Sequence, residues 1–359
     1  GGEAALLAHE ANKKKRHLPI RKLFTAMPNL LTSLKPCILM SPLSVSQFLD
    51  PLQMRFDLVI FDEASQICSE DAIGAIYRGR QLVICGDNKQ LPPTAFFDQG
   101  VSDDFDDQET SEVLEHFDSI LDECMAIGMP VLPLLWHYRS RHESLIAFSN
   151  HRFYGNRLVT FPASNDKHPS LGIQFRYVQD GVYDRGGRRD NPREAEVIVD
   201  LIVQYLAEQP DRSLGVVAFS VAQRNAIEDR LEQVLREHPE LEHHFKLDNS
   251  DHCFVKNLES VQGDERDVMI FSVGYGRDQQ GRLTMNFGPL NSEGGERRLN
   301  VAVTRARDKV IVVSSIRSSD FDLSATQAPG VLALYHYLDY SERGPEALSL
   351  QHPGSTGEF

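Results

Sequence analysis

The sequence is poor in the residues that mark several classes of protein. Only five of its 359 residues are cysteines, and they are scattered and never form a CxxC pair. Reduced thiols are therefore expected, and neither a disulfide framework nor a zinc site is. No apolar run approaches the length of a membrane span, and the first twenty residues lack the apolar stretch of a signal peptide. We expect a globular, cytoplasmic protein with no membrane association.

Positive charge is also scarce. The sequence has 37 Lys and Arg against 52 Asp and Glu, a net charge of -15, which argues against a general binder of polyanions. The sign varies along the chain, because residues 102–123 are acidic whereas residues 13–22 and 297–309 are basic. A local basic groove therefore stays open as a hypothesis. The length predicts two domains of ordinary size.

Two short apolar runs each end in a polar cluster. Residues 58–61 precede Asp62 and Glu63, and residues 82–85 precede Gly86. Such runs are typical of buried parallel strands, and ligands collect beyond the carboxyl ends of these strands. Neighbouring side chains leaving a strand diverge, so Asp62 can address Mg²⁺ while Glu63 addresses a separate water molecule. Nucleotide hydrolysis requires this division of labour.

The segment after the second run packs a glycine, a polar cluster and two prolines into residues 86–93. The prolines stiffen the loop, and a stiff loop can hold Gln90 as a neutral hydrogen-bonding sensor of a phosphate. An ordinary turn is the alternative for this segment taken alone. Its position soon after Asp62 favours the functional interpretation.

A second α/β half is predicted downstream. Its expected strands and helices are, in order, strand 173–178, helix 192–208, strand 214–219, helix 221–237, strand 268–273 and strand 309–314. The acidic residues 101–112 are predicted to form a surface loop, and a short helix and a tail rich in Pro, Gly and Ser are predicted after residue 318. The predicted organisation is a basic N-terminal helical segment (1–24), a first domain (25–130), a second domain (131–322) and a C-terminal helix and linker (323–359).

Five runs of the sequence, in this order, resemble motifs II to VI of superfamily 1 nucleic-acid helicases, in the branch that contains the nonsense-decay helicase. The runs are DEAS at 62–65, GDNKQLPP at 86–93, LWHYRS at 135–140, LESVQGDE at 258–265 and RLNVAVTRAR at 298–307. The resemblance covers roughly residues 36–315. It implies an α/β protein with two RecA-like parallel-sheet domains, the first incomplete at its N-terminus. It also implies an enzyme that couples hydrolysis of ATP to movement along a single strand of nucleic acid.

The segment 39–46 and the run SSIRSSDFDLS at 314–324 look more narrowly like the large bacterial members of this branch. In those, the resemblance implies a repair-type endonuclease domain downstream of the motor. DNA is therefore favoured over RNA as the bound strand, although the residues themselves fit both. The branch implies movement from 5′ to 3′.

The resemblance also implies roles for single residues around ATP and Mg²⁺. The implied roles are Asp62 on Mg²⁺, Glu63 on the attacking water, Gln90 on the γ-phosphate, Tyr138 stacked on adenine, and Arg139 and Arg305 on the transferring phosphoryl group. Gln262, Gly263 and Glu265 match the motif that couples nucleotide to strand, with Glu265 directed toward the ribose or the coupling network. For each arginine the alternative is a surface ion pair.

The sequence departs from the family in lacking a phosphate-binding loop. Motors of this class need G-x-x-x-x-G-K-[ST], and no Gly-Lys dipeptide occurs in the chain. We expect the loop to lie upstream of Gly1, and the isolated chain to hydrolyse ATP negligibly. A non-catalytic nucleic-acid-binding or scaffold module that kept the fold is the alternative. A nuclease is disfavoured, because the chain has neither an acidic pair followed by Glu-x-Lys nor a His-metal site.

The last motif contains two arginines that a motif comparison does not separate. The apolar positions of residues 297–307 predict a helix that continues through Arg307 and is followed by a strand from Lys309. On such a helix Arg305 and Arg307 point about 160° apart. The family pattern places Arg305 toward the nucleotide, and Arg307 is then expected to form a structural ion pair or to aid solubility.

Overall fold

The computed structural model describes residues 2–93, 119–162, 170–246 and 251–349. The chain forms two compact units. Of the described residues, unit 1 contains 2–88, 92–93 and 119–131, and unit 2 contains 89–91 and the described residues from 132 onward. The structure thus groups three residues of the predicted first domain with unit 2. The predicted acidic loop at 101–112 lies outside the described residues.

Unit 1 contains a small parallel sheet and several short helices. Its elements are α1 (Glu3–Asn12), α2 (Ile20–Ala26), α3 (Pro28–Leu34), α4 (Pro42–Phe48), β1 (Phe56–Phe61), α5 (Ser69–Ile76), β2 (Gly79–Ile84) and α6 (Ile120–Ala126). Strands β1 and β2 pair in parallel with Val59 opposite Leu82. Phe61, Ala72 and Ile120 belong to the small core formed by β1, α5 and α6. The two predicted strands are confirmed, and the basic residues 13–17 lie between α1 and α2.

Unit 2 is built on a larger sheet. Its elements are β3 (Trp136–His137), α7 (Ser144–Phe153), β4 (Val159–Thr160), β5 (Gly172–Tyr177), α8 (Pro192–Glu208), β6 (Leu214–Ala218), α9 (Val221–Glu237), β7 (Phe254–Asn257), β8 (Arg266–Ser272), α10 (Gly295–Val303), β9 (Ala306–Ser314), α11 (Pro329–Arg343) and α12 (Glu346–Ser349). Five strands pair in the order β5-β9-β8-β6-β7, all in parallel. The predicted α/β class with parallel sheets is confirmed.

Helices cover both faces of this sheet. Successive residues of a strand face opposite sides, so each strand contributes side chains to both layers of the core. In β6, Val216 and Ala218 pack with helices α8 and α9, whereas Val217 packs with α7, α10 and α11. Burial on two faces explains why these strands are continuous apolar runs. In the described ranges, no helix has the length and apolarity needed to cross a membrane.

Helix α11 is longer than the short helix predicted after residue 318. It has 15 residues, and Leu334, Tyr337 and Leu338 are fully buried. The ring of Tyr337 lies 5.0 Å from that of Phe148 and 6.2 Å from that of Phe271. This helix therefore completes the core of unit 2, and residues 350–359 of the predicted linker lie outside the described residues.

A buried polar network joins helix α8 to the carboxyl ends of β8 and β9. Glu194 is fully buried and accepts hydrogen bonds from Ser272 Oγ (2.9 Å), Gly274 N–H (2.6 Å) and Ser315 Oγ (3.0 Å). Burial raises the pKa of Glu194 to about 7, although these hydrogen bonds oppose the shift. The side chain of Asn191 caps α8 by accepting from Glu194 N–H at 3.1 Å. This single carboxyl group thus ties three elements together.

Candidate nucleotide site

The two acidic residues of unit 1 lie in the turn that follows β1. Both side chains are exposed, and Glu63 adopts a left-handed conformation, with φ of 53°. Asp62 Oδ1 accepts the backbone N–H of Glu63 at 3.0 Å, while Gln66 Nε2 donates to Glu63 Oε2 at 3.2 Å. Non-glycine residues with positive φ are uncommon and cluster at functional sites. Each carboxylate thus has one hydrogen bond within the turn.

Gly86, the first residue of the run GDNKQLPP, packs against that turn. A Cβ atom at this position would lie 3.0 Å from the backbone nitrogen of Ser65 and 3.2 Å from that of Ala64. The ends of the two strands are also joined directly, because Cys85 N–H donates to Phe61 O at 2.8 Å and Ala64 N–H donates to Cys85 O at 2.9 Å. The glycine therefore supports the geometry of Asp62 and Glu63, a role that the sequence did not reveal.

Residues 89–91, in the middle of the run GDNKQLPP, pack within unit 2. Gln90 Oε1 accepts a hydrogen bond from Arg305 Nη2 at 2.9 Å. Asn300 Nδ2 donates to the backbone oxygen of Lys89 at 2.9 Å, and Leu91 is buried in the core of unit 2. Two predicted phosphate-contacting residues, Gln90 and Arg305, are thus brought together from positions far apart in the sequence.

The predicted helix through Arg307 is wrong. Helix α10 ends at Val303 and β9 begins at Ala306, so Arg305 lies in the connecting turn and Arg307 lies in the strand. The reason is the ladder between β8 and β9, which pairs Arg266 with Ala306 and takes the backbone away from the helix. Arg305 is 3% exposed, and its Nε donates to Val301 O at 2.7 Å.

Glu265 binds two arginines at once. Its Oε2 accepts from Arg139 Nε at 2.8 Å, and its Oε1 accepts from Arg307 Nη2 at 2.7 Å and from Arg307 Nε at 3.2 Å. The hydrogen bond from Arg307, with help from Arg139, lowers the pKa of Glu265 despite partial burial. The same contact raises the pKa of Arg307. The carboxylate is therefore ionised and shared between two cations.

The turn that carries Glu265 depends on Gly263, whose φ of 85° favours glycine. Lys256 Nζ donates to Asp264 Oδ2 at 2.6 Å and holds the turn against β7. Glu265 is consequently delivered to the amino end of β8. Gly263 thus acts on the site through the backbone.

The aromatic motif around Tyr138 is fixed beside β9. Arg141 N–H donates to Arg307 O at 2.7 Å, and Arg141 Nη1 lies 3.2 Å from the buried carboxylate of Asp308. Burial, and then the nearby Arg139, lower the pKa of His137 to about 4, so this ring is neutral near pH 7. The side chain of Tyr138 is 85% exposed, which leaves its ring face open.

The predicted residues of unit 2 gather at the amino edge of its sheet. Glu265 directly precedes β8 and Arg305 directly precedes β9. Between Ala306 and Lys309, β9 carries one more residue than the paired segment of β8, and such a bulge re-aims side chains. From the sequence we expect functional residues at the carboxyl edges of parallel sheets. That holds for Asp62 and Glu63, but no sequence signal indicated the opposite edge in unit 2.

Known proteins resemble this chain along most of its length. A family model described as an AAA domain matches residues 117–317, and a second with the same description matches residues 37–97. An uncharacterized ATP-dependent helicase of Mycoplasma pneumoniae is 36% identical over 324 residues, 87% of this chain and 28% of that protein. The 5'-3' DNA helicase ZGRF1 of Mus musculus is 28% identical over 271 residues, 73% of this chain and 13% of that protein.

Among solved structures, the PRRSV helicase aligns with a TM-score of 0.35 and 16% identity, covering 75% of this chain and 38% of that one. The chain spans 28% of the length of its Mycoplasma relatives. The AAA-domain match at 117–317 takes in more than half of the chain. The chain therefore belongs to the AAA-domain family of superfamily 1 ATP-dependent helicases.

Proposed function

We propose that this chain forms part of the motor core of a helicase that uses ATP hydrolysis to move along single-stranded nucleic acid. The observation that carries the proposal is the convergence of Arg139, Glu265 and Arg305, from three separate motifs, on one edge of the sheet of unit 2. Gln90 joins them through its hydrogen bond to Arg305. Guanidinium groups held this firmly are suited to stabilising charge that develops on a transferring phosphoryl group.

In this proposal Arg305 and Arg139 are held by different partners and contact the phosphoryl group separately. Arg305 is buried and held at Nε by a backbone oxygen, so its terminal nitrogens point at the γ-phosphate sensor Gln90. Arg139 is held at Nε by Glu265, which leaves the outer part of its guanidinium directed away from the carboxylate. Tyr138 offers an exposed ring for stacking on adenine, and Glu63 orients and deprotonates the attacking water.

The geometry of Asp62 fits Mg²⁺. Its carboxylate is exposed beyond the end of β1 and is steadied through Oδ1. Within the described residues, no group of three or more His, Cys, Asp or Glu side chains is placed to hold a metal. Mg²⁺ in nucleotide sites is commonly held by one or two carboxylates together with phosphates and water, and Asp62 would supply one such oxygen. When bound, the ion would neutralise charge on the β- and γ-phosphates.

We further propose that the strand is DNA. The relation to a mouse protein named as a DNA helicase and the resemblance to large bacterial members support DNA over RNA. A fused endonuclease domain and movement from 5′ to 3′ belong to the same proposal. The isolated chain should turn over little ATP, because it contains no Gly-Lys dipeptide and so lacks the backbone cradle and lysine that hold the β- and γ-phosphates.

The test is ATP hydrolysis by a natural polypeptide that joins these residues to a G-x-x-x-x-G-K-[ST] loop. We expect turnover that single-stranded DNA stimulates more than single-stranded RNA of the same sequence. This chain alone, measured in parallel, should show a small fraction of that turnover. Binding of DNA without hydrolysis by the longer polypeptide would instead support the non-catalytic binding module.

A further inference from the structure

We infer that Arg307 is a positioning residue for Arg139 and that it acts through Glu265. The inference rests on the proposed function, which assigns Arg139 to the phosphoryl group. Arg307 and Arg139 approach opposite oxygens of one carboxylate, with Nη2 of Arg307 at 2.7 Å and Nε of Arg139 at 2.8 Å. Arg307 is thereby connected to Arg139 without touching it.

Glu265 needs this second cation in order to keep a defined direction. Its side chain is 38% exposed, and an exposed glutamate has several free torsions to lose when it is held. Two nitrogens of Arg307 grip Oε1, at 2.7 and 3.2 Å, which leaves Oε2 facing Arg139. Without Arg307 the carboxylate is free to rotate, because a single partner on one oxygen does not fix its plane.

Arg139 in turn depends on Glu265. Its side chain is 34% exposed, and its other hydrogen bond among the described contacts, from Nη1 to Thr304 O, is long at 3.3 Å. The contact at Nε is the short, charge-assisted one, and such contacts are the stronger kind. The direction of the outer guanidinium nitrogens therefore follows the orientation of Glu265.

Arg307 is itself held in place by its position in β9 and by a contact with Asp267. It lies in the bulged segment of β9, and its Nη1 is 3.6 Å from Asp267 Oδ1. Asp267 Oδ2 accepts from both the backbone N–H (3.0 Å) and the Oγ (2.9 Å) of Ser213, which directly precedes β6. Contacts therefore run from the sheet through Arg307 to Glu265 and on to Arg139.

The first experiment uses this chain and does not depend on hydrolysis. In protein labelled with ¹⁵N-arginine, the Nε–Hε group of Arg139 is followed by NMR, and its exchange with water is measured. Arg307→Ala should speed this exchange roughly tenfold, the scale of coupling within one ion-pair network, while the Nε–Hε group of Arg305 serves as an internal reference.

Arg212→Ala is the matched control. Arg212 is similarly exposed at 34%, against 29% for Arg307, and it pairs with Asp308, so Glu265 is untouched. The control should leave the exchange at Arg139 unchanged. Unchanged exchange in Arg307→Ala, or equal acceleration in both variants, would overturn the inference.

The second experiment measures turnover in the longer, loop-containing polypeptide. Arg307→Ala should lower kcat on the order of tenfold with little change in KM, and the double variant Arg139→Ala/Arg307→Ala should be no slower than Arg139→Ala alone. Arg307→Lys keeps the charge but loses the two-nitrogen grip, so it should recover only part of the rate. Effects that multiply in the double variant would show that Arg307 acts independently and would overturn the inference. If the unsubstituted polypeptide does not hydrolyse ATP, the proposed function fails, and the NMR measurement still decides the role of Arg307.

Discussion

Glu194 should make the stability of unit 2 depend on pH in a direction opposite to that of a carboxylate whose pKa is lowered by folding. Its folded-state pKa is raised to about 7, from an ordinary value of 4.5, chiefly because the group is buried. Below about pH 4.5 the carboxyl group is protonated in both the folded and the unfolded chain, and its contribution to stability is complete. As the pH rises toward 7, the unfolded chain ionises while the folded chain does not. The contribution is therefore lost across this window.

The size of the effect follows from the shift. A difference of one pKa unit corresponds to about 1.4 kcal/mol, so the free energy of unfolding should fall by up to about 3 kcal/mol between pH 4.5 and pH 7. Glu194→Gln removes the titration but keeps the shape of the side chain. A glutamine oxygen can still accept from Ser272 and Gly274, and its amide nitrogen can donate to Ser315. The variant should fold, and its stability should lack this slope.

The assay is urea unfolding of both proteins, followed by far-UV circular dichroism at half-unit steps from pH 4.5 to 7.5. The quantity of interest is the difference between the two unfolding free energies, because other groups, such as His137, titrate in both proteins and cancel. Glu196→Gln, two residues along helix α8 with a side chain that is 47% exposed, is the matched control and should give a constant difference. A difference for Glu194→Gln that also stays constant with pH would refute the argument.

Three further predictions concern Glu63, Arg305 and Gly86. In the loop-containing polypeptide, Glu63→Gln should lower turnover at least about a hundredfold, as for loss of a general base. Its nucleotide affinity, measured by fluorescence titration, should not change. A small effect on turnover would show that Glu63 is a structural turn residue. In the same polypeptide, Arg305→Ala should cost on the order of 10³-fold in kcat, as for an arginine finger, and a loss smaller than that of Arg307→Ala would show that the wrong arginine was assigned. In this chain, Gly86→Ala should destabilise unit 1 by about 1–3 kcal/mol, because the added Cβ meets the backbone of Ala64 and Ser65; unchanged urea unfolding would contradict that packing.

Much of the fold follows from local pattern. Helices α8 and α9 have the predicted bounds, because Asn191 and Ser220 cap them and their apolar residues recur at helical spacing. The strands around Val216 and Ile270 were recognisable because both of their faces are buried. Strand β7 was missed, since its sequence FVKN is short and mixed and, among the described strands, it lies at the edge of the sheet beside β6.

The candidate site was less predictable, because tertiary contacts decide it. Residues 297–307 have a helical pattern throughout, yet the ladder with β8 ends the helix at Val303. The division of Glu265 between Arg139 and Arg307 depends on contacts that span 126 and 42 positions of the sequence, which no local pattern encodes. The assigned roles of Asp62, Gln90 and Tyr138 remain predictions for experiment.

The position of the site at the amino edge of the sheet in unit 2 has an electrostatic consequence. In a parallel α/β unit the amino ends of helices, which carry partial positive charge and attract phosphate, lie at the carboxyl edge of the sheet. The amino edge instead receives the carbonyl ends of helices, whose partial negative charge repels anions. Arg305 Nε is bonded to Val301 O in the last turn of α10, and Arg139 Nη1 is bonded to Thr304 O just beyond it. Both arginines therefore offset the partial negative charge at the carboxyl end of α10. Their positive charge makes this edge of the sheet able to attract a triphosphate, which the helix terminus alone would repel.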